Sequence, residues 1–238
     1  MGGAIRSFVE TLTDDEQRLV ADAKPYSIIS PERLIANMDA VAYVVELGIP
    51  GALVECGVWR GGSALVMVKA LQRAGVDDRD VYLFDTFEGM NEPTDMDTSR
   101  FSEPATTTWQ KAKASGATAY ERYFQPAKFS LDGVRSLLHA TGYPSERIRC
   151  VPGLVEDTVP DRAPSEIAVL RLDTDWYEST KHELVHLYPR LASGGVLIID
   201  DYGHWDGCRC AVDEYFSTLA PSIFLSRIDY TGRLGIKP

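Results

Sequence analysis

Two short apolar runs in this chain each end in a pair of carboxylates. One is Ile167-Ala168-Val169-Leu170-Arg171-Leu172, followed by Asp173-Thr174-Asp175; the other is Gly195-Val196-Leu197-Ile198-Ile199, followed by Asp200-Asp201. Twenty-seven positions separate Asp173 from Asp200, room for one helix and a return. That is the length of a βαβ unit, whose strands are parallel neighbours. Neighbouring strands lie roughly 4.8 Å apart, so four carboxylates would converge on one edge of one sheet. Converging like charges destabilise the fold unless a cation or proton compensates. Carboxylate oxygens suit hard cations, so Asp173, Asp200 and Asp201 are the candidate ligands of a magnesium ion. Zinc is disfavoured without a convergent His or Cys. Helix N-capping is the competing use of such acids; it accounts for Asp175, but not for Asp173, Asp200 and Asp201 together. Asp175 is left as a fourth ligand or a general base, and His204, three residues past Asp201, is the rival base.

A second site lies upstream. Ala52-Leu53-Val54-Glu55-Cys56 reads as a strand, Gly57 to Ser63 as a glycine-rich turn, Ala64 to Ala74 as a helix, and Val81 to Asp85 as a strand ending in an acid. Strand, glycine turn, helix and acid-tipped strand make a nucleotide-type βαβ unit. The pattern is E-x-G-x-x-x-G-G rather than G-x-G-x-x-G, and Glu55 would repel a pyrophosphate. A cationic ligand fits better, and a sulfonium carrying an α-amino group is one. Gly57 permits close backbone approach, and Asp85 can accept from both hydroxyls of a ribose. Together these features predict an S-adenosylmethionine site. In the turn after the third strand, Glu156 or Asp157 could accept from the adenine amino group.

The rest of the chain reads as alternating helices and strands. Residues 1–25 look like a helical arm, and Ser30-Pro31-Glu32-Arg33 starts a helix that stops at Gly48. Residues 86–128 are polar and weakly periodic, which predicts a mobile lid or substrate loop with a short helix near 108–114 or 118–124. Helices are expected at 131–141, 178–191 and 208–219, a strand at 147–151, and an antiparallel pair near 223–229 and 232–236. The pattern predicts a single doubly wound, mostly parallel α/β sheet spanning 1–238.

Charge and composition narrow the function classes. The 238 residues carry a formal net charge of −11, with no basic stripe for nucleic acid and no attraction to an anionic membrane. No apolar run reaches the roughly 18–20 residues of a membrane-spanning helix, and Met1 to Arg6 lacks a signal peptide's apolar segment; the expectation is a cytoplasmic protein. Cys56, Cys150, Cys208 and Cys210 form no C-x-x-C pair and read as free thiols. His182-Glu183-Leu184-Val185-His186 matches the zinc-peptidase pattern H-E-x-x-H. No third ligand follows downstream, and its helix leads away from the acidic sheet edge. His139 has no metal context.

Several ordered motifs carry a resemblance: Ser30-Pro31-Glu32-Arg33-Leu34, Val54 to Gly62, Asp85-Thr86-Phe87-Glu88-Gly89-Met90, Leu172 to Thr180, Tyr188-Pro189-Arg190-Leu191 and Ile199 to Gly203. Over roughly residues 26–237 the chain resembles the macrocin O-methyltransferase family. The resemblance implies a seven-stranded, Rossmann-like class I methyltransferase fold with an antiparallel C-terminal strand. It implies S-adenosylmethionine and magnesium as cofactors and a hydroxyl of a deoxysugar, on a glycosylated small molecule, as acceptor. By that likeness Asp173, Asp200 and Asp201 hold the metal and Asp175 is the base. Glu55, Gly57, Ser63, Asp85 and Phe87 line the cofactor site, with Ser130 near the adenosine. A homodimer or larger assembly involving the N-terminal arm is also implied. The competing readings are a magnesium enzyme methylating a phenol or catechol, and a cofactor-binding protein without catalysis.

Overall fold

The computed structural model describes residues 7–125 and 129–238; positions 1–6 of the expected arm lie outside them. The arm contains α1 (Asp14–Ala23), started by a capping box in which Thr13 and Glu16 satisfy each other's free N–H groups. Helix α2 (Pro31–Glu46) begins as its sequence predicts: the Ser30 hydroxyl accepts from the Arg33 N–H, and Pro31 occupies the first turn. Then come β1 (Ala52–Cys56), α3 (Gly62–Arg73), β2 (Val81–Asp85), α4 (Ala105–Ser115), α5 (Leu131–His139) and β3 (Ile148–Pro152). The short α6 (Val155–Thr158), β4 (Ile167–Leu172), α7 (Tyr177–Leu187), β5 (Leu191–Ile199), α8 (Asp206–Ser217), β6 (Ser226–Arg227) and β7 (Arg233–Ile236) complete the chain.

The strands form one seven-stranded sheet in the order β3-β2-β1-β4-β5-β7-β6. The first five are parallel, and β7 runs antiparallel to β5 and β6. Strand order reverses between β1 and β4, which opens a crevice at their carboxyl ends. The fold is therefore the doubly wound sheet expected from the sequence, with boundaries moved for local reasons. Helix α7 stops at Leu187 because Pro189 cannot supply the next helical N–H, and a 3-10 turn spans Tyr188–Arg190. The expected strand at 223–229 shrinks to Ser226–Arg227.

Side chains alternate across the sheet, as strand geometry requires. Val54, Cys56, Leu170, Leu172, Leu197 and Ile199 pack with residues of α7 and α8, whereas Leu53, Leu83, Val169 and Ile198 pack with α2, α3 and α5. Glu55 and Arg171 fall on the second face. They are register partners across β1 and β4, with Arg171 opposite Ile198 of β5. A charge pair thus lies inside the sheet, directly beneath the acidic edge.

Candidate active site

At the end of β1 the chain turns at Gly57, whose φ is +80°. A Cβ there would lie 1.9 Å from the carbonyl oxygen of Asp173, so glycine lets the ends of β1 and β4 approach each other. The glycine serves the neighbouring strand as well as any ligand. The turn is stapled to the next strand by Asp85, whose carboxylate accepts from the N–H groups of Val58 at 2.6 Å, Trp59 at 2.9 Å and Phe87 at 2.7 Å. Burial still holds the Asp85 carboxyl above its ordinary value despite those donors. Trp59 and Phe87 both have positive φ, so the chain is held in costly conformations on either side of this carboxylate.

Asp173, Asp200 and Asp201 meet at the ends of β4 and β5, each offering an oxygen within 4.8 Å of the others. The protein itself supplies part of the compensating charge. Arg171, 1% exposed, forms ion pairs with Glu55 at 2.7 Å, Asp173 at 2.8 Å and Asp200 at 2.6 Å. Arg33, from the first turn of α2, pairs with Asp200 and, at 3.0 Å, with Asp229. Neither arginine was singled out in the sequence. One signal was present: an arginine inside the apolar run of β4 must be paired, because an isolated buried charge is too costly.

Two guanidiniums do not balance the five carboxylates of Glu55, Asp173, Asp175, Asp200 and Asp201. The imbalance is visible in two ways. Asp201 Oδ2 is buried without a hydrogen-bond partner. The carboxyls of Asp173 and Asp201 are pushed well above their ordinary value by burial, with the neighbouring aspartates raising them further and Arg171 and Arg33 opposing the shift. An orphaned carboxylate oxygen beside two further carboxylates is a donor set that fits a hard divalent cation.

Asp175 projects into the same cavity from a left-handed conformation, φ +65°. The indole N–H of Trp205 donates to it at 2.8 Å. Burial, then the charge of Asp173, pushes its carboxyl up to about 8. Beneath it, the Thr174 hydroxyl donates to the fully buried Glu183 at 3.1 Å. The acid of the H-E-x-x-H match therefore supports the loop that carries Asp175. Its histidines serve elsewhere: His182 Nε2 bonds the Val159 carbonyl at 2.9 Å, and among the described residues no third ligand joins them. His204 also lines the cavity. Burial and Arg33 lower its pKa, which keeps the ring neutral near pH 7.

A cavity of about 800 Å³ joins these parts. Glu55, Gly57, Ser63, Asp85, Asp173, Asp175, Asp200, Asp201 and His204 all line it. Three expected residues lie outside its wall. The Phe87 side chain packs into the core, 7% exposed, and contributes its N–H to Asp85. Ser130 is engaged as the N-cap of α5, where it accepts from Gly133. Asp157 points to solvent from α6, and its neighbour Glu156 lines the cavity instead.

The expected lid, 86–128, is anchored midway; its positions 126–128 lie outside the described residues. Asp97 is fully buried and accepts from the N–H of Tyr177 at 2.8 Å and of Thr94 at 2.7 Å. Gly207 leaves room for it: a Cβ there would lie 2.1 Å from Asp97 Oδ1. Further along, the Trp59 indole donates to the Tyr123 carbonyl at 2.9 Å. Tyr120 from this segment lines the cavity with its hydroxyl buried and unpartnered.

Comparison with known proteins supplies the family. The profile described as Macrocin-O-methyltransferase (TylF) matches residues 5–234. The chain belongs to the macrocin O-methyltransferase family. A Streptomyces olivaceus relative, 8-demethyl-8-(2,3-dimethoxy-alpha-L-rhamnosyl)-tetracenomycin-C 4'-O-methyltransferase, is 37% identical over 202 residues, 83% of this chain and 72% of the relative. Mycinamicin III 3''-O-methyltransferase of Micromonospora griseorubida is 33% identical over 207 residues, 87% of this chain and 76% of the relative. Among solved structures, the O-methyltransferase NovP matches with a TM-score of 0.74 at 32% identity, covering 89% of this chain and 82% of NovP. Membership in the macrocin O-methyltransferase family makes the chain an O-methyltransferase, and the NovP likeness confirms the class I methyltransferase architecture. No helix among the described residues is long and apolar enough to cross a membrane.

Proposed function

We propose that this enzyme transfers a methyl group from S-adenosylmethionine to a sugar hydroxyl of a glycosylated natural product. The observation that carries the reading is one cavity shared by the glycine turn, Asp85 and the Asp173-Asp200-Asp201 cluster. The printed activities of the two relatives support the choice of a glycoside as acceptor.

Glu55 sits where it can face the cationic methionine end of the donor. Asp85 retains about one free lone pair, on Oδ1, for a ribose hydroxyl beyond the three backbone donors it already satisfies. Asp173, Asp200 and Asp201 would hold magnesium, which when bound lowers the pKa of a coordinated hydroxyl. Asp175 then takes the hydroxyl proton. The Trp205 indole fixes the direction of its carboxylate, and the left-handed backbone aims it inward. Methyl transfer is an in-line displacement, so the chain's main contribution is orientation. Tyr120 offers an unionised hydroxyl for a second contact with the acceptor, since burial, with the charge of Asp175, pushes its pKa up to about 12.

The test is methyl transfer followed by mass spectrometry, with magnesium present, after EDTA treatment, and after magnesium is restored. Loss and recovery are expected. Full turnover in EDTA would refute the carboxylate cluster as a metal site.

A further inference from the structure

Three helices start beside the cavity without a side-chain cap of their own. Neither Pro104 before α4, nor Trp176 before α7, nor Trp205 before α8 caps its helix with its side chain. One dipeptide of the expected lid serves all three. The Asp97 carboxylate accepts from Tyr177 N–H at 2.8 Å, the Asp97 carbonyl accepts from Ala105 N–H at 3.1 Å, and the Thr98 carbonyl accepts from Asp206 N–H at 2.8 Å. The N–H groups of a first helical turn have no partner within the helix, and the helix dipole favours a carboxylate beside them. The Thr94 N–H and hydroxyl hold the other Asp97 oxygen, at 2.7 Å and 3.1 Å. Asp97 is fully buried and lies outside the cavity wall, so it acts through what it holds rather than by touching a substrate.

What it holds is the frame of Asp175. Asp175 stands two residues before Tyr177, and Trp205 stands one residue before Asp206. The hydrogen bond from the Trp205 indole to Asp175 Oδ1, at 2.8 Å, therefore spans the starts of α7 and α8. Trp176 and Trp205 pack edge-on between the same two starts, with centroids 4.9 Å apart. Gly207 lets those starts close on Asp97: a Cβ there would lie 2.1 Å from Asp97 Oδ1 and 3.2 Å from Tyr177 Cβ. The left-handed backbone of Asp175, φ +65°, persists only where the surrounding structure holds it. Glu183 holds the loop through Thr174, and Asp97 holds the next turn of chain through Tyr177.

We propose that Asp97 is a positioning residue for methyl transfer: by joining the starts of α7 and α8 it fixes the Trp205–Asp175 hydrogen bond, and so the direction of the base. The consequence for turnover rests on the reading of Asp175 as base. The same dipeptide starts α4, and Phe101, Ser102, Glu103 and Thr108 beyond it line the cavity, so this part of the wall and the base share one anchor.

Solvent exchange of the indole N–H groups, followed by NMR on protein carrying 15N-labelled tryptophan, tests the positioning without any acceptor. The Trp59 indole, which donates to the Tyr123 carbonyl at 2.9 Å, is the internal control, and Trp59→Phe and Trp205→Phe assign the two signals. In Asp97→Ala the Trp205 indole should exchange about tenfold faster, the scale of one lost hydrogen bond, with Trp59 unchanged. Gly207→Ala, which keeps Asp97 and pushes a methyl against it, carries the same test should Asp97→Ala not fold. Equal acceleration at both indoles would assign Asp97 to general stability, acceleration at Trp59 alone would assign it to the lid, and no change at either would deny it a role; each overturns the proposal. With 4-nitrophenyl α-L-rhamnoside as acceptor, Asp97→Ala should lower kcat by about 10–10²-fold, the scale of a small misplacement of a catalytic group, with calorimetric affinity for S-adenosylmethionine unchanged. In an Asp175→Asn background it should cost little more, because the two residues act as one unit. The same loss in both backgrounds overturns the positioning role and leaves Asp175 as base. Near-normal rates in Asp175→Asn alone overturn the base reading, and with it any catalytic consequence of Asp97.

Discussion

Replacing Arg171 with methionine removes charge while keeping most of the side-chain volume. Arg171 is the shared partner of Glu55, Asp173 and Asp200, at 2.6–2.8 Å, with its own side chain 1% exposed. Removing one member of a buried ion pair costs about 3–5 kcal/mol, because the remaining charge is left in a low dielectric. Total stability for a domain is about 5–15 kcal/mol. At about 2–4 °C per kcal/mol for a chain of this size, the melting temperature at pH 8 should drop by roughly 6–20 °C.

The loss should also depend on pH, with a definite sign. Burial already raises the Glu55 carboxyl to about 7, and raises Asp173 as well. Without the guanidinium both rise further. A carboxyl whose folded pKa exceeds its unfolded value favours the fold fully below the unfolded value, and that contribution is lost as pH rises through the folded one. Arg171→Met should therefore be most handicapped at pH 8 and recover much of the deficit at pH 5, where protons replace the lost cation. Thermal melts of both proteins at the two pH values decide it. A variant melting within about 2 °C of wild type at pH 8 would show that the arginine is not the main compensating charge. A large deficit that stays the same at pH 5 would assign the loss to packing.

Asp175→Asn should keep cofactor affinity and slow methyl transfer by about 10²–10⁴-fold, the usual contribution of a positioned base; near-normal rates, checked by single-turnover kinetics, would hand the role to His204. Glu55, pushed up to about 7 by burial, should bind the donor's cationic end best when ionised, so calorimetric affinity for S-adenosylmethionine should rise as pH increases from 5.5 to 8. A flat profile would remove Glu55 from the methionine pocket. Gly57→Ala must adopt a left-handed backbone with its methyl 1.9 Å from the Asp173 carbonyl oxygen. It should lose at least about 1–3 kcal/mol and displace Asp173, which denaturant unfolding together with activity will register; stability equal to wild type would contradict the tight β1–β4 approach.

The sequence determined the strands, their carboxyl-terminal acids and the order of the elements. Each of these is a local signal: a run of branched apolar residues, a glycine turn, a Ser-Pro helix start. Because parallel strands put their ends on one edge, local signals were enough to bring Asp173, Asp200 and Asp201 together. The charge balance was not local. Arg33 reaches Asp200 across 167 positions and Asp229 across 196, and no spacing rule connects them. Arg171 was adjacent to its partners in the sheet, but the register that sets it opposite Glu55 exists only once β1 and β4 pair. The polar stretch around Asp97 read as a lid because its composition resembles a solvated loop. Tertiary packing buried that one carboxylate against the start of α7 and the space left by Gly207. Likewise the wall of aromatic rings over the acidic edge gathers Phe101, His204 and Tyr230 from three separate segments. Backbone periodicity and strand ends are written along the chain, whereas charge compensation and cavity shape depend on which distant side chains the fold sets side by side.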